Sequence, residues 1–198
     1  MNILLDMKLF NIIICFLILI FNLQSWSKAD DINDFEIEGM SVGDSLLDYY
    51  NEEEIKIKQK TYYPRSKKYY MIEFDNKFKV YDTVAFHLKD KDEKYTIVSI
   101  KGVIFFKKKI KECMKKMNEL EEFVSSFLNK SKDKNYEKEY PTKIGITNIS
   151  EFNLSRGKIR LSCIDFYKKI EKTSNLKDNL ALSIEPNKFN NWIKNNAY

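Results

Sequence analysis

Few residues in this chain have types and spacing that could do chemistry. Ser45 stands in Gly43-Asp44-Ser45-Leu46 and would need a base to become a nucleophile. His87 is the only histidine, so it is the candidate general base or pH sensor. Past residue 29 the cysteines are Cys113 and Cys163. Two thiols and one imidazole fall short of the four N/S ligands of structural zinc, so no metal or other cofactor is expected. The pair is a candidate disulfide, set against two buried free thiols acting as small hydrophobes. Closing a loop of that length stabilises by about 4 kcal/mol in the chain-entropy model. Tyr62, Tyr63, Arg65, Lys67 and Lys68 interleave rings with cations. Such a mixture stacks on bases or sugars and holds anions, which makes it the candidate binding surface. The plainer alternative is a loop leading into a strand, with its cations solvated. Lys107 to Lys109 and Lys115-Lys116 flank or follow a helix start, where lysines oppose the dipole; they read as a solvated face.

Gly43-Asp44-Ser45-Leu46 resembles the nucleophile block of the Gly-Asp-Ser-Leu esterases. That resemblance implies a catalytic Ser45 placed after a buried strand. It also implies an oxyanion-hole Gly and Asn from later blocks, and an Asp-x-x-His near the C-terminus. Here Ile37 to Val42 makes a poor buried strand, and no Gly-x-Asn-Asp block exists. His87 lies mid-chain with Val84 three residues before it. Without a base the serine hydroxyl is not activated. Helix initiation accounts for the four residues, and a Ser-dependent hydrolase is kept as the alternative. His87 alternates with Tyr81, Thr83 and Ala85, which reads as a half-exposed strand histidine.

The elements that must carry these residues begin with an export signal. Lys8 precedes an almost wholly apolar run from Leu9 to Leu23, and Ser27-Lys28-Ala29 offers small residues at the −3 and −1 positions. The run is shorter than the roughly 20 residues of a spanning helix. A cleavable signal peptide is expected over 1–29, cut between Ala29 and Asp30, leaving no transmembrane anchor. Met7 is a plausible alternative start, and Cys15 lacks the context of a lipid-anchor site. Removing residues 1–29 leaves 32 basic against 28 acidic residues. That mild, mixed charge calls for no nucleic-acid partner. The Lys, Asn, Ile, Phe and Tyr bias reads as AT-rich codon usage. Asn129, Asn148 and Asn153 begin glycosylation-type triplets that such a composition produces by chance.

Asp30 to Glu38 reads as a flexible acidic lead-in within 30–40, followed by a single domain over 41–198. Ser45 to Tyr50 and an Asn51-capped segment to Lys58 read as a helix–turn–helix opening. Tyr69–Phe74, Val80–Leu88 and Tyr95–Phe106 carry strand patterns, with a bulge expected at Gly102. Ile110–Leu128 has helical periodicity, and Lys130–Tyr140 reads as a charged loop. Ile149–Leu154 and Lys158–Phe166 form a hairpin at Arg156-Gly157, and Leu180–Ile184 is another strand. Asn187 is expected to cap a last helix that turns Phe189, Trp192 and Ile193 inward. The fold class is α+β: antiparallel β-meanders with helices packed on one face, in the order helix(es)-βββ-helix-βββ-helix. Residues 41–106 and 107–198 make two loosely repeated halves.

Phe35 to Tyr50, the acidic Glu52-Glu53-Glu54-Ile55, and the ending Leu180 through Phe189, Trp192 and Tyr198 resemble a group of uncharacterised small exported proteins of AT-rich marine alphaproteobacteria. The resemblance implies compartment but no activity or site residues. The element order is also similar to that of β-lactamase-inhibitor-like and outer-membrane-assembly lipoprotein folds, by layout alone. The expected function is a non-enzymatic periplasmic or secreted module binding a protein or envelope component. A small-ligand or glycan binder is kept beside it, on the condition that Tyr62 to Lys68 converge on a pocket.

Overall fold

The structure, a computed structural model, describes residues 31–75, 78–106, 109–140, 143–174 and 176–198. The expected signal peptide, its Ala29-Asp30 junction, Lys107 and Lys108 lie outside the described residues. A small hairpin opens the fold, β1 (Glu36–Ile37) and β2 (Met40–Ser41). Its turn residues Glu38 and Gly39 have φ of 55° and 79°. Positive φ at both positions is the type I′ turn that suits strand twist. Then follow α1 (Glu52–Lys56), β3 (Thr61–Tyr63), β4 (Ser66–Asp75), β5 (Thr83–Lys89) and β6 (Ile97–Phe106). The long helix α2 (Ile110–Leu128) leads into β7 (Lys134–Glu139), β8 (Gly145–Asn153) and β9 (Gly157–Phe166). A short α3 (Lys168–Ser174), β10 (Asp178–Pro186) and α4 (Asn187–Trp192) complete the chain, with a wide last turn over Ile193–Ala197.

Eight strands form one antiparallel sheet in the order β3-β4-β5-β6-β10-β9-β8-β7. Each half is a four-stranded meander led by a helix, and the two meet at their last strands, β6 and β10. The α+β class and the expected alternation of helices and strand groups are observed, with one extra strand per half. Those two, β3 and β7, are the edges of the sheet. All six residues of β7 are exposed, so no apolar alternation marks it, and the segment expected as a charged loop is a strand. Its charges also discourage pairing with another chain.

Period-2 alternation divides the sheet into two faces. One face holds the main core: Tyr70, Phe86, Ile100, Leu161 and Ile184 meet Cys113, Met117 and Val124 of α2. The spacing of those α2 residues is the helical one, and the helix bounds are those expected. Cys113 and Cys163 are bonded, tying α2 to β9 with Cα atoms 6.0 Å apart. Glu121 is buried on α2, where Lys132 pairs with it at 2.6 Å and the Ser150 hydroxyl donates to it. The lead-in is part of this core rather than a tail. Asp31 caps a turn at Ile32–Asp34 and pairs with Arg156, while Ile32 and Ile37 are 2% and 1% exposed. Both Glu38 oxygens accept N–H groups of Lys79, Val80 and Tyr81, at 2.8 to 3.3 Å. That anchors the β4–β5 connection, so Val80 is loop and the strand starts at Thr83.

The bulge is not at Gly102. Register shifts between His87 and Leu88, opposite Ile97 to Ser99. Gly102 serves a different need: a Cβ there would lie 2.5 Å from the Tyr81 ring. At the other end of the chain α4 crosses the sheet's second face. Phe189 and Trp192 face inward as expected, against Tyr69 and Tyr63. Pro186, not Asn187, is the residue before the first turn, and no side chain caps it.

Candidate functional site

The Gly43-Asp44-Ser45-Leu46 run is used for folding. Ser45 caps the short turn Leu46–Asp48: its hydroxyl accepts from Leu47 N–H and donates to the Lys94 carbonyl at 2.7 Å. The Asp44 carboxylate accepts from Ser41 N–H and from the Tyr49 hydroxyl, which raises the Tyr49 pKa to about 12. Leu46 packs with Phe86 and Leu88, whose neighbour His87 points to the opposite face of the sheet. The serine hydroxyl is committed to the Leu47 and Lys94 backbone groups and His87 Nδ1 has no hydrogen-bond partner, so the two are not joined as nucleophile and base. The run Tyr62 to Lys68 is likewise divided. It forms the β3–β4 hairpin, with Tyr62 on the main-core side bonded to Asp90 at 3.0 Å. Tyr63 points to the second face. Arg65, Lys67 and Lys68 are exposed, and Lys68 lies over the Tyr69 ring. Of this set Tyr63 lines a cavity.

That cavity lies on the second face, between the sheet and the C-terminal segment, with a volume of about 210 Å³. Water takes roughly 30 Å³ each, so the space suits a ligand of several heavy atoms. Its existence follows from two features. First, the floor on β9 and β10 is made of small side chains, Ser162, Ala181 and Ser183. Second, the sheet rolls. Tyr63 on β3 and Lys138 on β7 are seven strand positions apart, about 34 Å in a flat sheet. Yet both line this one cavity. Tyr198 closes the gap, 6.0 Å from Tyr63 by ring centroids and near Tyr140. The backbone N–H of Arg65 donates to Ala197 and holds this end in place.

One cross-strand row on this face carries most of the charge: Glu73, Ala85, Lys101, Ser183, Arg160, Glu151 and Lys134 lie side by side on successive strands. Glu151 accepts from Lys158 at 2.6 Å and Arg160 at 2.9 Å, and Arg160 also reaches Glu185 at 3.0 Å. Burial alone would raise the Glu151 pKa, but the two cations outweigh it and hold the carboxyl at about 2. These two cations and two carboxylates balance. Lys101 is different. It is partly buried and forms no ion pair among the described residues; Glu73 and Glu185 act on it only from further away. Burial lowers its pKa. Lys138 stands at the exposed rim, lowered by burial and by Arg160.

The polar atoms here are under-satisfied. His87 Nδ1 and Thr147 Oγ1 are buried without a hydrogen-bond partner. Such atoms are rare, because each forfeits its hydration for nothing. Burial first, and Lys101 second, push the His87 pKa down to about 3, so the imidazole is neutral at pH 7. Its ring lies against Tyr63 at 6.1 Å and Phe189 at 4.9 Å. Thus His87 is a wall of the cavity rather than a half-exposed surface residue. Lys101, Arg160 and Thr147 attract no attention in the sequence, where lysine and threonine are unremarkable strand residues. Only the shared face of β6, β8 and β9 marks them. No cluster of metal-ligating side chains, and no helix long and apolar enough to cross a membrane, occurs among the described residues. Comparison with protein-family models, curated proteins and solved structures finds no match for this chain.

Proposed function

We propose that this chain is an exported, non-enzymatic binding protein that holds a small anion in the cavity between its rolled sheet and C-terminal segment. One observation carries the reading: Lys101 faces the cavity without an ion pair among the described residues, and the same cavity is lined by His87 and Thr147, whose Nδ1 and Oγ1 have no partner. Leaving a cation and two polar atoms unmatched inside a fold is costly, and a bound anion with further polar groups offsets it. Export is supported by the buried disulfide, a bond that persists in oxidising compartments. Thermal denaturation against a panel of small organic anions tests the reading. A ligand at one hundred times its Kd should add about 2.7 kcal/mol, and Lys101→Met should remove the shift. A panel without any stabilising anion refutes it.

A second reading, docking of an envelope protein or component along the sheet, uses the free edge β7, whose exposed charged side chains admit only a partner of complementary charge. Pull-downs from intact periplasm that repeatedly return no partner would count against it.

A further inference from the structure

The cavity's walls narrow the class of anion, an argument that rests on the ligand-binding reading above. Its sides are rings and branched aliphatics: Tyr63, His87, Phe189, Tyr140 and Tyr198, with Ile164 among them. Its floor is low because Ser162, Ala181 and Ser183 are small. A thin, flat body fits such a slot, since ring faces and edges supply offset and edge-on contacts. The charge requirement is small. Arg160 and Lys158 are matched by Glu151 and Glu185, so Lys101 is the one partly buried cation left over, and Lys138 adds only a screened charge at the rim. Lys101 and His87 lie on neighbouring strands and sense each other's charge, which sets the cation beside the ring wall. His87 Nδ1 and Thr147 Oγ1 add two places for a hydroxyl or carbonyl.

We propose that the cavity takes a flat aromatic monocarboxylate, its acid group on Lys101, its ring against Tyr63, His87 and Phe189, and a hydroxyl or carbonyl substituent on a partnerless polar atom. An inorganic dianion or an aliphatic dicarboxylate leaves the ring wall unused and brings one charge too many. Isothermal titration calorimetry of the purified protein decides the matter with five probes: benzoate, 4-hydroxybenzoate, benzamide, succinate and inorganic phosphate. The two ring acids should bind at least about tenfold more tightly than benzamide, succinate or phosphate. Lys101→Met should lose about tenfold for the ring acids and leave benzamide unchanged, while Lys101→Arg stays within a few-fold of the wild type. The charge-keeping variant guards against misreading a folding defect. Benzamide equal to benzoate, or Lys101→Met equal to wild type, overturns the assignment of the acid group. Tighter binding of succinate or phosphate overturns the aromatic class and leaves the anion-binding reading standing. No heat from any probe, together with an anion panel that gives no thermal shift, removes both.

Discussion

Breaking the Cys113–Cys163 bond should remove a large share of the stability of this fold. The bond joins residues 50 apart, the first turn of α2 and the middle of β9. Without it the unfolded chain regains the entropy of that loop, worth about 4 kcal/mol at 25 °C. Domains of this kind are stable by only about 5–15 kcal/mol. For a chain of this size each kcal/mol moves Tm by about 2–4 °C, so the loss should be roughly 8–16 °C. The perturbation is best made twice, as Cys113→Ala/Cys163→Ala and as the reduced wild type. Both lose the crosslink, but only the alanine variant loses the two sulfur atoms, which are fully buried. Urea unfolding followed by far-UV circular dichroism gives the midpoint and the slope m. Both forms should show a lower midpoint and a larger m, because the unfolded state is no longer held compact. A loss below about 1 kcal/mol in the reduced wild type, with m unchanged, refutes the loop-entropy reasoning.

Gly102→Ala places a methyl 2.5 Å from the Tyr81 ring and should cost about 1–3 kcal/mol; Tyr81→Leu in the same chain should recover part of it in a double-mutant cycle. Glu151 is held at a pKa of about 2 against its ordinary 4.5, so its contribution is complete above pH 4.5 and is lost as pH falls toward 2. Glu151→Gln should flatten the pH dependence of the urea midpoint across that window, and an unchanged slope would contradict the role given to Lys158 and Arg160. His87 has its folded pKa lowered from 6.5 to about 3, so the stability it provides as a neutral ring is complete above pH 6.5 and is lost as pH falls toward 3. Being the only histidine, it gives one unambiguous set of imidazole resonances. These should stay those of the neutral ring at pH 5, and a midpoint near 6.5 would place the ring in solvent.

Local physics made much of the architecture legible. The α2 bounds follow from eight apolar residues at three- and four-residue spacing. Strands β5, β6, β9 and β10 follow from alternation and from turn signals such as Arg156-Gly157. The even cysteine count pointed to the bond that joins α2 to β9. Strands β3 and β7 were not legible, because an edge strand needs backbone partners on one side only and little apolar burial. Lys134–Glu139 is a strand through its pairing with β8 and nothing else. The lead-in was misread because Asp31, Asp34 and Glu38 dominate its composition. Its folding depends on Ile32 and Ile37, and on N–H groups of Lys79, Val80 and Tyr81, some forty residues away.

The candidate site divides along the same line. From sequence, Ser45 and the Tyr62–Lys68 run drew attention because their residue types are adjacent in the chain. Tertiary structure ties the Ser45 hydroxyl to backbone groups away from any base and splits Tyr62 from Tyr63, since neighbouring residues of a strand cannot share a face. It assembles the cavity from Lys101, Arg160, Thr147, His87 and Tyr198, which are far apart in sequence and share only a face of a rolled sheet. By itself the sequence determined the α+β class and the long helix, because propensity and periodicity act locally, and it offered the disulfide as a candidate that the approach of α2 to β9 decided. Strand order, the roll of the sheet and the unpaired Lys101 were decided only by the pairing of β6 with β10, a contact between residues some eighty apart that no local pattern encodes.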